Sequence, residues 1–454
     1  MKIVVIGCGK IGKTIISSLV NERHDVVAVD IDPQVVEDIR TTFDVIAVNG
    51  NGTEFDTLKE VGADKAELFI AVTDSDELNM LSCFAAKRMG ALHTVARIRD
   101  LENNDESFAF MKNQLDLSLA INPERMAAEA IFNVLRFPSA TKVEVFPHSK
   151  LELVELKLKD DSVLDGRSLI DVRKQSKLGF LICAVERDGE IFIPNGTFTL
   201  KGGDKIGIIA KKRETGRVLR AIKVNDMPAN NIIVLGAGTM STYLAQLLVS
   251  AKHSVKLIDK EKTVCQEVCE FLPDTVTVIN GDGRSHDLLT EEGIASADAF
   301  ITLTGADETN ILMAFYAKSN SVPKVVAKAN RNELISIAEN IGLDCIISPK
   351  RIVADLMVKY ARAIENCLDC QIETLYSIMD GKAEAMEFKV LDDFKYANVS
   401  IKDMRIANGV LIAGISRNKE TFIPTGDDVI LPGDTVIIIA EGKRVLSLSD
   451  VVAR

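Results

Sequence analysis

A glycine loop with an acid at fixed distance is the clearest chemistry in this 454-residue chain. Gly7-Cys8-Gly9-Lys10-Ile11-Gly12 is a complete G-x-G-x-x-G. It follows an apolar run at 2–6 (KIVVI) and opens a helical pattern over Lys13 to Glu22, with Ile15, Ile16 and Leu19 on one face. Asp30 stands 18 residues after Gly12 (30 − 12), at the end of the next apolar run. Each residue type has a task. The first glycine permits a tight turn, the second lets a diphosphate approach the backbone, and the third lets helix and strand pack closely. The helix amino terminus offers free N–H groups and the positive end of its dipole. An acid at position 30 can accept from both ribose hydroxyls, which disfavours the 2′-phosphate of NADP. These residues predict a nucleotide site.

The chain then repeats itself. Gly236-Ala237-Gly238-Thr239-Met240-Ser241 and Asp259 mirror the first loop at an offset of 229 (236 − 7 and 259 − 30), with serine at the third glycine. Asn49-Gly50-Asn51-Gly52 answers to Asn280-Gly281-Asp282-Gly283, and Thr73-Asp74 answers to Thr304-Gly305. These segments follow the third and fourth predicted strands. In an open parallel sheet ligands sit beyond the carboxyl ends of strands, so the loops face the expected pocket. Arg97 and Lys328 fall in the fifth strands, where a cation has two options: a phosphate, or a salt bridge to a neighbouring acid. Lys10 is likewise placed for phosphate or for solvent.

Short apolar runs alternate with helical stretches in each half, the signature of a parallel sheet covered on both faces. After the helix that begins at Pro123, residues 143–220 alternate in polarity and carry turn signals such as Asp188-Gly189, which reads as a small β-rich unit. A polar stretch at 224–230 precedes the second half. The expected fold is α/β: two Rossmann-like parallel-sheet domains, each followed by a small α+β subdomain. The divisions are 1–137, 143–222, 230–365 and 373–454.

The formal net charge of −12 repels phosphate backbones, so nucleic acid is excluded as a general partner. No run of 18 apolar residues occurs and no leader is recognised, so a cytoplasmic location is expected. The chain lacks a P-loop motif, and its five histidines show no metal-ligand spacing. Eight cysteines are scattered; Cys265 with Cys269, and Cys367 with Cys370, are the pairs spaced for a metal or redox site, against free thiols on helices.

With those residues in place, the whole chain resembles the TrkA family, regulatory subunits of Trk-type potassium uptake built from tandem regulator-of-potassium-conductance (RCK) units. The resemblance rests on VNGNGT after the third strand, AVTDSDELNM after the fourth and INPERMAAE before the next helix. It rests also on FIP…GGDKIGIIA with its partner FIP…PGDTVIIIA. It implies NAD(H), with ATP or ADP as further ligands. Gly7, Gly9, Gly12, Asp30, Thr73 and Arg97 would line the first site. Gly236, Gly238, Asp259, Thr304 and Lys328 would line the second. It further implies a tetrameric homo-oligomeric ring on the inner face of the membrane, docked on a TrkH-like potassium-transport subunit, without catalysis. The competing expectations are an NAD-dependent dehydrogenase with a duplicated cofactor fold, and a nucleotide sensor of another transporter.

Overall fold

The computed structural model describes residues 1–99, 114–146, 148–176, 178–224, 228–366, 372–418, 420–442, 445 and 447–453. Two compact units emerge: Met1–Ala128 with Ser348–Glu365, and Glu129–Ile347 with Asn366–Arg454.

The first unit holds β1 (Lys2–Ile6), β2 (Asp25–Asp30), β3 (Ile46–Asn49), β4 (Leu68–Ala71), β5 (His93–Arg97) and β6 (Leu119–Ile121). Their order is β3-β2-β1-β4-β5-β6, with every neighbouring pair parallel. The order reverses between β1 and β4, so a crevice opens there at the carboxyl ends of the strands. β4 is buried along its full length, as its apolar run requires. The helices are α1 (Lys10–Asn21), α2 (Pro33–Thr42), α3 (Phe55–Glu60) and α4 (Asp76–Met89). α1 buries Gly12, Ile15, Ile16 and Leu19, one helical face. It starts three residues earlier than its apolar pattern suggested, because Gly9 serves as its N-cap.

The helix Pro349–Asn366 departs from the sequence division. Its pattern placed it at the end of the second α/β domain (230–365). Its apolar residues Val353, Ala354, Met357 and Ala361 instead share the first unit's core with Ile15, Ile16 and Leu19. An amphipathic stripe announces that a helix buries a face; it does not name the sheet that receives it.

Among the described residues the second unit contains three sheets. The first small one comprises β7 (Ala140–Phe146), β8 (Leu151–Lys157), β9 (Phe180–Arg187), β10 (Glu190–Phe192) and β11 (Lys205–Lys211), in the antiparallel order β10-β9-β11-β8-β7. The parallel sheet comprises β12 (Asn231–Leu235), β13 (Ser254–Asp259), β14 (Val276–Asn280), β15 (Ala299–Thr302), β16 (Lys324–Lys328) and β17 (Ile346–Ile347). Its order, β14-β13-β12-β15-β16-β17, copies the first. The last comprises β18 (Ile372–Ile378), β19 (Ala383–Lys389), β20 (Val410–Arg417), β21 (Glu420–Phe422) and β22 (Thr435–Glu441), ordered β18-β19-β22-β20-β21.

The two small sheets share one core, in which Leu151, Leu153 and Cys183 meet Ala383, Ala385 and Ile437. Their contact is reciprocal. Glu155 Oε1 accepts from Met379 N at 3.0 Å, in the turn before β19, and Glu387 Oε1 accepts from Ser149 N at 2.9 Å, in the turn before β8. Both glutamates are fully buried. Each sheet thus satisfies a backbone donor of the other with a charge-assisted hydrogen bond.

Candidate functional site

In the first unit the turn between β1 and α1 is fixed by close approach. Gly7 has φ +89°, and a Cβ there would lie 2.8 Å from Thr73 N. A Cβ on Gly12 would lie 1.9 Å from Gly7 O, so no side chain fits. Gly9 is the opposite: nothing lies within 4 Å of where its Cβ would be. The second glycine therefore faces open space while the other two are packed, which is the division of labour a diphosphate cradle needs. Lys10 is exposed and Ile11 is partly buried against the core.

The start of α1 is bare. Gly9 caps it without a side-chain hydrogen bond, and its first turn holds no acid. By contrast, the Asp32 side chain caps α2 and the Ser75 side chain caps α4. The free N–H groups of α1 are left for an anion.

Asp30 ends β2 with its carboxylate drawn toward that turn. Oδ2 accepts from Cys8 N at 2.7 Å and Oδ1 from Asp32 N at 2.9 Å. Each oxygen keeps lone-pair capacity for a ribose hydroxyl. The Cys8 thiol is buried and donates to Val29 O; burial first, and then the Asp30 charge, push it up to about 12. It stays protonated and unreactive at neutral pH. Asn51 Oδ1 accepts from Thr53 N at 3.1 Å and Thr53 Oγ1 at 2.9 Å, which shapes the loop after β3.

On the far side of the crevice, Thr73 presents its N and Oγ1 to Asn79 Oδ1, at 2.8 and 2.7 Å. Asn79 Nδ2 donates to Thr73 O at 3.2 Å and to Arg97 O at 3.0 Å. This fully buried asparagine ties the loop after β4 to the end of β5. Arg97 is buried and paired with acids: Nη1 lies 3.6 Å from Asp74 Oδ1 and Nη2 lies 3.1 Å from Glu124 Oε1. The salt bridge to neighbouring acids, one of its two expected roles, is formed.

The second copy keeps the plan and changes the fit. Gly236 has φ +100°, Gly238 faces open space, and Asp259 accepts from Ala237 N at 2.8 Å and Glu261 N at 2.9 Å. Ser241 is fully buried and donates to Gly236 O at 2.5 Å. That carbonyl matches the Gly7 oxygen that leaves no room for a Cβ at Gly12. The second loop has therefore opened enough to admit a side chain, and a hydrogen bond closes the gap. Asp282 is bound by Arg284 through Nε at 3.0 Å and Nη2 at 2.8 Å; a Cβ on neighbouring Gly281 would meet Leu288. Thr304 meets Asn310 Oδ1 at 2.9 and 2.7 Å, repeating the Thr73–Asn79 arrangement. Gly305 stands where the first copy has Asp74, and Lys328 Nζ donates to Leu303 O at 3.3 Å.

Asn79, Asn310 and Glu124 are the residues sequence reasoning did not assign. The signal was available for the asparagines: they recur at an offset of 231 (310 − 79), each three residues after an aspartate, Asp76 and Asp307. Of the cysteine pairs, Cys265 is buried and Cys269 exposed on one helix, and Cys367 and Cys370 lie outside the described residues. Among the described residues no helix is long and apolar enough to cross a membrane.

Comparison with known proteins finds the same tandem order of domains. The TrkA-N domain family matches residues 3–112 and 232–349, and the TrkA-C domain family matches 153–223 and 385–453. A Trk system potassium uptake protein TrkA homolog of Archaeoglobus fulgidus is 28% identical over 451 residues, covering 99% of this chain and 100% of the relative. The Trk system potassium uptake protein TrkA of Vibrio alginolyticus is 29% identical over 453 residues, covering 98% and 97%. Among solved structures, the GsuK channel bound to NAD aligns with a TM-score of 0.64 at 18% identity, over 97% of this chain and 77% of that one. The GsuK RCK domain aligns at 0.63 and 17%, over 97% and 92%. At that identity the two structures speak for the fold alone. Two TrkA-N and two TrkA-C matches in alternation, with full-length relatives on both sides, show that the chain belongs to the TrkA family.

Proposed function

We propose that this chain is a regulatory subunit that binds NAD(H), or ATP or ADP, and gates a TrkH-like membrane potassium-transport subunit. The observation that carries the nucleotide assignment is the bare start of α1. Its N–H groups are uncapped, Gly9 opens beside them, and Asp30 stands at the end of the neighbouring strand. Full-length relatives named for Trk potassium uptake support the transport role, and a structural neighbour's NAD supports the choice of ligand.

In the first site the backbone of Gly7, Cys8, Gly9, Lys10, Ile11 and Gly12 would cradle the diphosphate, with Asp30 on the ribose. Asn51, Thr73 and Asp74 would border the crevice, and Arg97 would lend its charge after competing with Asp74. In the second, Gly236, Gly238, Asp259, Gly281, Asp282, Thr304 and Lys328 take the matching places. The four-part division at 1–137, 143–222, 230–365 and 373–454 is retained, with the helix Pro349–Asn366 exchanged onto the first unit. Regulation would be a population shift: the site binds one ring geometry better than another, with coupling of about 1–3 kcal/mol. We place the subunit in the cytoplasm, as a tetrameric ring against the membrane. The small β units repeat each other and, among the described residues, offer no positioned acid–base pair for hydride transfer, so NADH is bound and released unchanged.

Two measurements test this. Titration calorimetry with NADH should give binding that Asp30→Asn weakens by about 1–3 kcal/mol, the scale for charged hydrogen bonds; unchanged affinity would remove Asp30 from the ribose. Pull-down from native membranes should recover a potassium-transport subunit. Recovery of a different transporter would favour the sensor reading, and sustained NADH oxidation with a carbonyl substrate would favour a dehydrogenase.

A further inference from the structure

The carboxyl end of α1 is bolted to the helix Pro349–Asn366 by polar contacts remote from the glycine loop. Arg362 donates to Glu22 twice, from Nε at 2.7 Å and from Nη2 at 2.6 Å. Arg362 is only 7% exposed, so this fork is mostly out of water. Close by, Glu365 Oε1 lies 3.3 Å from Nδ1 of the buried His24. The Tyr360 hydroxyl meets His93 Nδ1 at 3.4 Å, with the two rings edge to face. Beneath these contacts Val353, Met357 and Ala361 share a core with Ile15, Ile16 and Leu19 of α1. A bidentate arginine–carboxylate pair fixes direction as well as distance.

Among the described residues the second copy does not repeat the clamp. Glu22 corresponds to Ala251 at the glycine-loop offset (251 − 22 = 229). Arg362 corresponds to Arg136 at the offset of the two helix-opening prolines (362 − 136 = 226, as 349 − 123 = 226). Arg136 pairs instead with Glu152 of β8, at 3.1 Å. His93 corresponds to Lys324. The duplication kept the sheets and the glycine loops, and placed this fork in one half.

α1 joins the two features. It starts at the candidate phosphate turn and its C-cap is Glu22. Twelve helical residues rise about 18 Å as a stiff rod. We propose that α1 is a lever, and that the Glu22–Arg362 pair couples nucleotide occupancy at Gly9 to the helix Pro349–Asn366. That helix is followed in sequence by β18 of the last small sheet. Among the described residues the second α/β domain shows no matching fork. The proposal rests on the nucleotide reading of the first site.

The test is hydrogen exchange on the full-length chain, with and without NADH, beside calorimetry on the same samples. In the unaltered protein NADH should slow exchange several-fold across residues 352–364. Glu22→Gln should still bind NADH, because Glu22 caps the end of α1 opposite the glycine loop, yet lose the response of that helix. The swap Glu22→Arg with Arg362→Glu should restore it. A helix in Glu22→Gln that still responds in full overturns the lever, as does NADH binding to the unaltered protein with no change at 352–364. Absence of NADH binding to the unaltered protein overturns the site assignment first, and the lever with it.

Discussion

Asp30 and Asp282 are both carboxylates of the candidate sites, and their surroundings give them different behaviour. Asp30 is held by backbone N–H groups and belongs to the turn itself. Asp282 is held by a side chain: hydrogen bonds from Arg284 lower it from 3.8 to about 2. A carboxylate lowered in this way contributes stability that is present above its ordinary value and is lost as pH falls through about 2. The loop after β14 should thus keep its shape from neutral pH down to about 4. The first copy has Asn51 and Thr53 in these places and carries no such titration. Carboxyl NMR should show Asp282 with a midpoint near 2, and Arg284→Ala should return it toward 3.8. A midpoint already at the ordinary value in the unaltered protein would show that the pair does not form in solution.

At the scale of elements, the two glycine loops differ in how tightly helix meets strand. A Cβ at Gly12 would stand 1.9 Å from Gly7 O, a backbone atom that moves only with the whole turn. Ser241 has its space and a hydrogen bond in it. Gly12→Ser should therefore destabilise the first domain by about 1–3 kcal/mol, the usual cost of overpacking, and weaken nucleotide binding there. Ser241→Gly should cost about 1 kcal/mol, the scale of one lost hydrogen bond. Urea unfolding of both variants checks the asymmetry; equal losses would contradict it. The paired small sheets depend on a different device. Glu155 is fully buried, accepts from Met379 N and faces Lys205 Nζ at 3.2 Å. Glu155→Ala leaves both donors without it and should cost about 3 kcal/mol, in the range for breaking one partner of a buried pair. A midpoint shift of less than a third of that in chemical unfolding would mean that water replaces the carboxylate.

At the scale of the whole molecule, the repeat also repeats an exposed apolar position. Leu81 on α4 is 52% exposed, and Leu312, its counterpart at an offset of 231 (312 − 81), is 68% exposed. Apolar exposure kept in both copies of a duplicated fold suits a surface covered by another chain. Leu81→Asp with Leu312→Asp should lower the mass seen by light scattering toward that of one chain. An unchanged mass would move the association surface elsewhere. The sequence by itself determined a great deal here. The glycine spacing, the acid after the second strand and the alternation of apolar runs are local, so they specified strand, turn and helix without tertiary help. The duplication specified that the sheet of the first half would recur in the second. What only the tertiary structure decided depends on which distant surfaces meet. Arg97 pairs with Glu124, 27 residues away, and Glu22 pairs with Arg362, 340 residues away. The helix Pro349–Asn366 shows an apolar stripe in sequence, yet the stripe does not name which of two sheets with the same strand order receives it. Packing of Val353, Ala354, Met357 and Ala361 into the first core settles the choice, because burial rewards apolar area of the right shape wherever along the chain it comes from.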